Sequence, residues 1–377
     1  MNFDFSDEQK HLRGEARRFL EDKSSSSAVR TVLEGKVPFD RALWRQLGEM
    51  GFLGAAIPEA YGGLGLGYLE LCVIAEEIGR SLAPVPMSSS IYLAAEVLTD
   101  AGSEAQKTAW LPSLASGEKI GTVAFVETVG RDTLVNTKAS FADGVINGVK
   151  LPVADGADAD FAIVLARNLS SAGALSLYLV DLHGAGVQRE TLTSIDPTRS
   201  QAIIKLSGAP AEPVGKDGEG LVLIERAFDR AAILLAFEQV GGADRALQMA
   251  RDYALERMAF GRQIGSFQAV KHVLADMYVS ATLARSNAYY GAWALSQGAS
   301  ELPVAAALAR VSATTAFQHC AKNNIQVHGG MGFTWEFDCH LYYRRSNALA
   351  LLLGPLSAWE ELLIGRMRER GDLAIAA

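Results

Sequence analysis

Two stretches hold residue types and spacings suited to chemistry. The first is Arg257-Met258-Ala259-Phe260-Gly261-Arg262-Gln263-Ile264-Gly265-Ser266-Phe267-Gln268, where two arginines, two phenylalanines and a glutamine follow a long helical pattern. Arginine offers forked donors that match phosphate oxygens, and phenylalanine offers a flat apolar surface for a ring. The same arginines would also neutralise a helix C-terminus, and on these residues alone the two readings stand level. The second stretch is Asn323-Asn324-Ile325-Gln326-Val327-His328-Gly329-Gly330-Met331-Gly332-Phe333, which runs on through Tyr342-Tyr343-Arg344-Arg345 to Leu353-Gly354-Pro355. Three glycines in four positions do not read as ordinary helix. They read as a tight turn, either a plain helix C-cap and loop, the commoner use of a lone Gly-Gly-x-Gly, or a place where backbone can lie close to a ligand or another chain.

Other chemistries find little support. The six histidines, at 11, 183, 272, 319, 328 and 340, show no metal-ligand spacing with carboxylates or cysteines, and each reads by itself as structural. Cys72, Cys320 and Cys339 are scattered and odd in number, so no disulfide framework or zinc site is expected. No Gly-x-Ser-x-Gly elbow occurs. Glu360 and Glu361 point about 100° apart on a helix and read as a solvated face. The loop Glu59 to Gly67 has four glycines but neither a preceding strand nor a Gly-Lys-Thr ending, so it reads as an interhelical turn. With 35 basic and 43 acidic residues the formal charge is −8, which argues against a nucleic-acid partner. No apolar run is long enough to span a bilayer, and the acidic start Met1 to Glu8 is unlike a signal peptide, so a cytoplasmic protein is expected.

These stretches need elements to position them. From Ser6 to about Gly117 apolar residues recur at helical spacing, with Ser6 or Asp7 as the first cap. Near Ile120 the period changes to alternation. Short strands are expected at 122–126, 139–141, 145–146, 161–165, 175–180 and 202–206, with turns at Ala142-Asp143-Gly144, Asn147-Gly148, Asp155-Gly156 and Gly184-Ala185-Gly186. Strands without intervening helices predict a small antiparallel barrel or sandwich, not a βαβ sheet. After Gly220 helical periodicity returns in four segments, 221–256, 267–297, 304–327 and 356–370, which predict a bundle. The fold class is α+β in three domains: helices over 1–120, a β-barrel over 121–220 and a four-helix bundle over 221–377.

This order, with Arg257-x-x-Phe260-Gly261 to Phe267-Gln268, Leu274-Ala275-Asp276-Met277, Gln326-x-x-Gly329-Gly330-x-Gly332-Phe333 and Pro58-Glu59-x-Tyr61-Gly62-Gly63-Leu64-Gly65, resembles the acyl-CoA dehydrogenase family over essentially the whole chain. The resemblance implies FAD as cofactor and an acyl-CoA thioester as substrate. It also implies a tetramer, homomeric or heteromeric, and an electron-accepting flavoprotein. It places Arg257, Phe260, Phe267 and Gln268 at the pyrophosphate and adenine side of FAD, and Gln326, Val327, His328, Gly329 and Gly330 against a flavin held mainly by a neighbouring subunit. Substrate-side positions are Asp229, Ala232, Leu353 and Gly354.

Departures from the family pattern fall on the catalytic side. The family's base, a glutamate that takes the α-proton while hydride leaves the β-carbon, aligns with Leu353. An alternative base within Phe-Asp-x-x-Arg aligns with Ala231 in Phe228-Asp229-Arg230-Ala231-Ala232, and the arginine with Ala232. No catalytic residue is therefore assigned, although the Leu353 backbone N–H remains able to polarise a thioester oxygen. Val126-Glu127-Thr128-Val129-Gly130-Arg131-Asp132 is shorter than its family counterpart, and Pro152-Val153-Ala154 replaces Trp-x-Thr at the flavin ring. The preferred expectation is a subunit of a heteromeric dehydrogenase whose partner supplies the base. A self-sufficient homo-oligomer, a related flavin oxidase or monooxygenase, and a non-catalytic scaffold stand as alternatives.

Overall fold

A computed structural model describes residues 5–128, 130 and 134–371. Val129, Arg131 and Asp132 of the altered loop lie outside the described residues, as does the start Met1 to Asp4. The chain forms two compact units that interleave in sequence: 1–29, 68–83 and 232–377 make one, and 30–67 and 84–231 make the other.

The first unit is helical. Helix α1 (Asp7–Lys23) starts with a capping box, in which the Ser6 hydroxyl accepts from the Gln9 N–H and the Gln9 side chain accepts from the Ser6 N–H. Helix α2 (Ser26–Leu33) follows α1, and α3 (Arg41–Glu49) belongs to the other unit. Helix α4 (Tyr68–Arg80) is buried on every side from Leu71 to Gly79, so its two central acids need partners. Arg13 and Arg285 reach Glu76, and Arg17 holds Glu77 through two nitrogens at 3.0 and 2.7 Å.

The second unit continues with three short, fully packed pieces. They are α5 (Met87–Ser89), a π-helical turn (Ser90–Ala95) and α6 (Glu96–Ala101), followed by α7 (Glu104–Ala115). The strands are β1 (Gly121–Ala124), β2 (Ser140–Ala142), β3 (Val145–Ala154), β4 (Phe161–Asn168), β5 (Ala174–Asp181), β6 (Val187–Leu192), β7 (Gln201–Pro210) and β8 (Glu212–Val214). Their order is β6-β7-β3-β2-β4-β5-β8, with β1 also on β4. The expected antiparallel barrel is therefore corrected to a mixed sheet that does not close. Both β1 and β2 run parallel to β4, a non-local pairing that no turn signal announces. Strand β4 is buried from Phe161 to Ala166, which suits a strand with neighbours on both edges and cover on both faces. Asn147-Gly148 is not a turn: it lies within β3 beside a register shift against β7.

Helix α8 (Gly220–Glu256) gives Gly220–Ala231 to the second unit and the rest to the first. A two-stranded hairpin follows, β9 (Met258–Ala259) with β10 (Arg262–Gln263). Then come α9 (Gln268–Gln297), α10 (Leu302–His328), α11 (Cys339–Leu351) and α12 (Leu356–Arg370). The C-terminal helices fall close to the four expected segments, but α11 is an additional helix. The stretch Asn323 to His328 is still α-helical, only Gly329–Phe333 forms a 3-10 turn, and Tyr342 to Arg345 lie within α11.

Candidate functional site

Helix α8 ends where Arg257 donates its backbone N–H to the Tyr253 carbonyl, 2.8 Å away. The chain then reverses in a hairpin whose tip needs two left-handed residues, Phe260 at φ 51° and Gly261 at φ 78°. The Arg257 carbonyl accepts from the Ile264 N–H and closes the loop. Phe260 is 96% exposed at the tip and meets Phe267 edge-on at 6.1 Å, while the Arg262 guanidinium covers Phe267 at 4.1 Å. Helix α10 ends at His328 because Gly329 takes φ 62°, ψ −136°, a conformation closed to side chains. A Cβ on Gly329 or Gly330 would meet nothing within 4 Å, so this backbone faces open space.

The two stretches share one cavity of about 390 Å³. It is lined by Arg257, Val327, His328, Gly329 and Gly330, together with Tyr253, Ile264 and Met331, to which the sequence reading assigned no role. The His328 ring stacks on Tyr253 at 4.1 Å and 21°, and its Nδ1 lies 2.8 Å from the Asn324 carbonyl. Burial holds the imidazole below its ordinary pKa despite that hydrogen bond, so it is neutral at pH 7. Phe260, Phe267, Gln268 and Gln326 do not line the cavity; Phe260, Gln268 and Gln326 are exposed beside it. A cation, an aromatic and imidazole stack and an unobstructed glycine backbone suit a nucleotide diphosphate.

The expected base positions hold no proton acceptor. Ala231 and Ala232 are fully buried on α8, and Asp229 is 7% exposed. Leu353 is 4% exposed, in the turn between α11 and α12. Its carbonyl accepts from Trp359 Nε1 at 2.9 Å, and α11 is tethered by buried Arg310, whose Nη2 donates to the Leu349 carbonyl at 2.6 Å. The Leu353 N–H has no acceptor among the described residues. A buried, unused backbone donor at that position is available to a carbonyl oxygen. Gly354 takes φ 96° and turns the chain into α12.

The sheet offers less to a flavin ring. Glu127 is fixed by Lys150 at 2.8 Å and by the N–H groups of Lys138 and Ala139. Burial raises its pKa, but those hydrogen bonds outweigh burial and hold it below the usual range. Pro152 has no N–H, Ala154 has no hydroxyl, and the Ala154 carbonyl is taken by the Thr122 hydroxyl at 2.6 Å. The bundle residues thus suit the ADP half of FAD, while Pro152 provides neither a side-chain nor an N–H donor for its ring and Ala154 no side-chain donor.

Residues 6–118 match the N-terminal domain model of acyl-CoA dehydrogenases, and residues 218–364 match the C-terminal domain model. The chain belongs to the acyl-CoA dehydrogenase family. Acyl-CoA dehydrogenase IpdE2 of Mycobacterium tuberculosis (strain ATCC 25618 / H37Rv) is 33% identical over 348 residues, covering 92% of this chain and 93% of that one. Among solved structures, a variant of the Tcur3481–Tcur3483 steroid ACAD is 30% identical, with TM-score 0.87 over 97% of this chain and 99% of that one. The ChsE4–ChsE5 complex from Mycobacterium tuberculosis is 28% identical, with TM-score 0.88 over 98% and 99%. The family consists of FAD-dependent oxidoreductases acting on CH–CH bonds.

Proposed function

We propose that this chain is one subunit of a heteromeric acyl-CoA dehydrogenase that acts on a bulky, steroid-derived acyl-CoA thioester. Its role is to supply the ADP-binding face to a flavin held mainly by a partner subunit. The observation that carries the reading is a contrast within one chain. The cavity of Arg257, His328, Gly329 and Gly330 is formed and open, whereas both base positions, Ala231 and Leu353, are apolar.

FAD, when bound, supplies the hydride acceptor. This chain's share is to bind and orient: Arg257 neutralises phosphate charge, the Tyr253–His328 stack meets a flat ring, and the glycine backbone allows close approach. The α-proton goes to a base on the partner subunit, and an electron-accepting flavoprotein would complete the turnover as a separate partner. Likeness to a steroid ACAD and to the ChsE4–ChsE5 complex supports both the substrate class and the mixed assembly.

The test is to purify the chain alone and co-purified with the product of an adjacent family gene, and to count flavins per complex by absorbance. Little flavin alone and one per pair of unlike chains supports the reading. Full occupancy and turnover by the chain alone would overturn it. The unused N–H of Leu353 favours a second reading, a homo-oligomer that binds the thioester in its own site, and the same flavin count distinguishes the two.

A further inference from the structure

Helix α11 stops earlier than its sequence asks. Ala348-Leu349-Ala350-Leu351-Leu352-Leu353 are good helix formers, and Gly354-Pro355 would by themselves end the helix after Leu353. The α-helix instead ends at Leu351, and the hydrogen bonds that follow reach back three residues and not four. The Leu352 N–H donates to the Leu349 carbonyl at 3.4 Å, and the Gly354 N–H donates to the Leu351 carbonyl at 3.1 Å. Between them the Leu353 N–H has no acceptor among the described residues. Its α-helical acceptor would be the Leu349 carbonyl, four residues back. That oxygen is already taken. Arg310 Nη2 donates to it at 2.6 Å, and with the Leu352 N–H this uses both lone pairs of the carbonyl.

Arg310 comes from α10 and is 1% exposed. Its Nη1 donates to Gln239 Oε1 at 3.0 Å, and the Thr314 hydroxyl donates to the same oxygen at 3.2 Å. Both hydrogen-bond partners of the guanidinium are neutral. Burial brings its pKa down to about 10 against the opposing charge of Glu238, so it stays protonated at pH 7. An apolar side chain of similar length would fill the same space without the cost of burying a charge, so packing alone does not account for a guanidinium here.

We propose that Arg310 is a positioning residue for the thioester: by occupying the Leu349 carbonyl it stops α11 short and leaves the Leu353 N–H free to bind the thioester oxygen. Trp359 anchors the same residue, its Nε1 holding the Leu353 carbonyl at 2.9 Å. The inference rests on the reading that a thioester carbonyl meets Leu353, and it holds whichever subunit supplies the base.

The experiment has a reading without ligand and a reading with one. In the full chain labelled with nitrogen-15 and carbon-13, NMR reads the scalar coupling across a hydrogen bond between the Leu353 nitrogen and the Leu349 carbonyl carbon. No coupling is expected in the wild type and in Arg310→Lys, which keeps a donor for Leu349, whereas Arg310→Met should show it. Infrared spectra then follow cholyl-CoA and acetyl-CoA, each carrying carbon-13 at the thioester carbonyl. The carbonyl stretch should fall on binding to the wild type and to Arg310→Lys. Arg310→Met should bind roughly 2- to 10-fold more weakly, with the stretch close to its free value. Circular dichroism confirms folding, and Gln239→Leu, which removes only the anchor of Nη1, is a milder variant whose stretch should shift less than in the wild type. A coupling in the wild type, none in folded Arg310→Met, or a full shift in Gln239→Leu would each overturn the proposal. The expected couplings with an unshifted carbonyl for both thioesters would instead remove the thioester from Leu353, and the positioning role with it.

Discussion

Arg257 carries a single positive charge at the mouth of the larger cavity, and its backbone is held at both ends by Tyr253 and Ile264. Replacing it with glutamine keeps that backbone and removes only the charge. Hydrogen bonds to charged groups contribute about 1.5–3 kcal/mol, so Arg257→Gln should weaken ADP binding by roughly 10- to 100-fold. Calorimetry with ADP checks this, and undiminished affinity would mean the arginine serves the α8 terminus instead. His328 gives a second test. Its folded pKa lies below the ordinary ~6.5, so as pH falls the unfolded chain takes up a proton that the native state resists. Stability from this group is therefore full above ~6.5 and declines as pH falls towards the depressed native value. His328→Phe keeps the stack on Tyr253 and removes the titration. The Tm of the wild type should drop further than that of the variant between pH ~7 and ~5.5, and parallel curves would contradict the assignment.

Elements set how these residues are held, and the tightest crossing is that of α4 with α8. A Cβ added to Gly79 would lie 1.8 Å from the Glu238 carbonyl oxygen, and one added to Gly241 would lie 1.9 Å from that of Glu76. Backbone stands on backbone, so no rotamer change relieves the clash. Gly79→Ala should cost at least the ~1–3 kcal/mol of ordinary overpacking. Gly14→Ala, within α1 and facing open space, should instead stabilise by ~0.5–1 kcal/mol. Urea denaturation of the two variants should move in opposite directions. The long helices were legible in the sequence because three- and four-residue apolar spacing persists over many turns. Helix α11 was not, because its aromatics and paired arginines follow a glycine turn and read as its continuation. Its buried Arg345 and Tyr342 donate to the Leu82 and Arg80 carbonyls, satisfaction that no local pattern reveals. Strand β6, Val-Gln-Arg-Glu-Thr-Leu, escaped because an exposed edge needs no apolar alternation. At the site, Arg257 and Val327 to Gly330 were named from sequence and meet in one cavity. Tyr253 sits a helical turn before Arg257 without a distinguishing neighbour, and the unused N–H of Leu353 depends on turn geometry.

At the scale of the whole molecule the question is whether this chain ever completes a reaction in its own site, and Leu353→Glu puts it directly. The variant restores the family's base at its position, in a turn already fixed by Trp359 and the Arg310 tether. General-base catalysis is worth typically 10²- to 10⁴-fold, so a site lacking only its base should gain a large part of that. Pro152 and Ala154 say that more than the base is missing, since neither supplies a side-chain hydrogen bond to a flavin ring and the Ala154 carbonyl is spent on Thr122. Under the proposed division of labour, in which the partner supplies the base, Leu353→Glu should therefore leave turnover of the isolated chain at background and alter turnover of the assembled complex by less than about twofold. Arg257→Gln in the same complex should lower flavin content instead. Anaerobic bleaching by acyl-CoA reads both. A gain of tenfold or more in the isolated Leu353→Glu chain would assign a near-complete active site to this subunit and replace the heteromeric division of labour with a homo-oligomer that has lost one carboxylate.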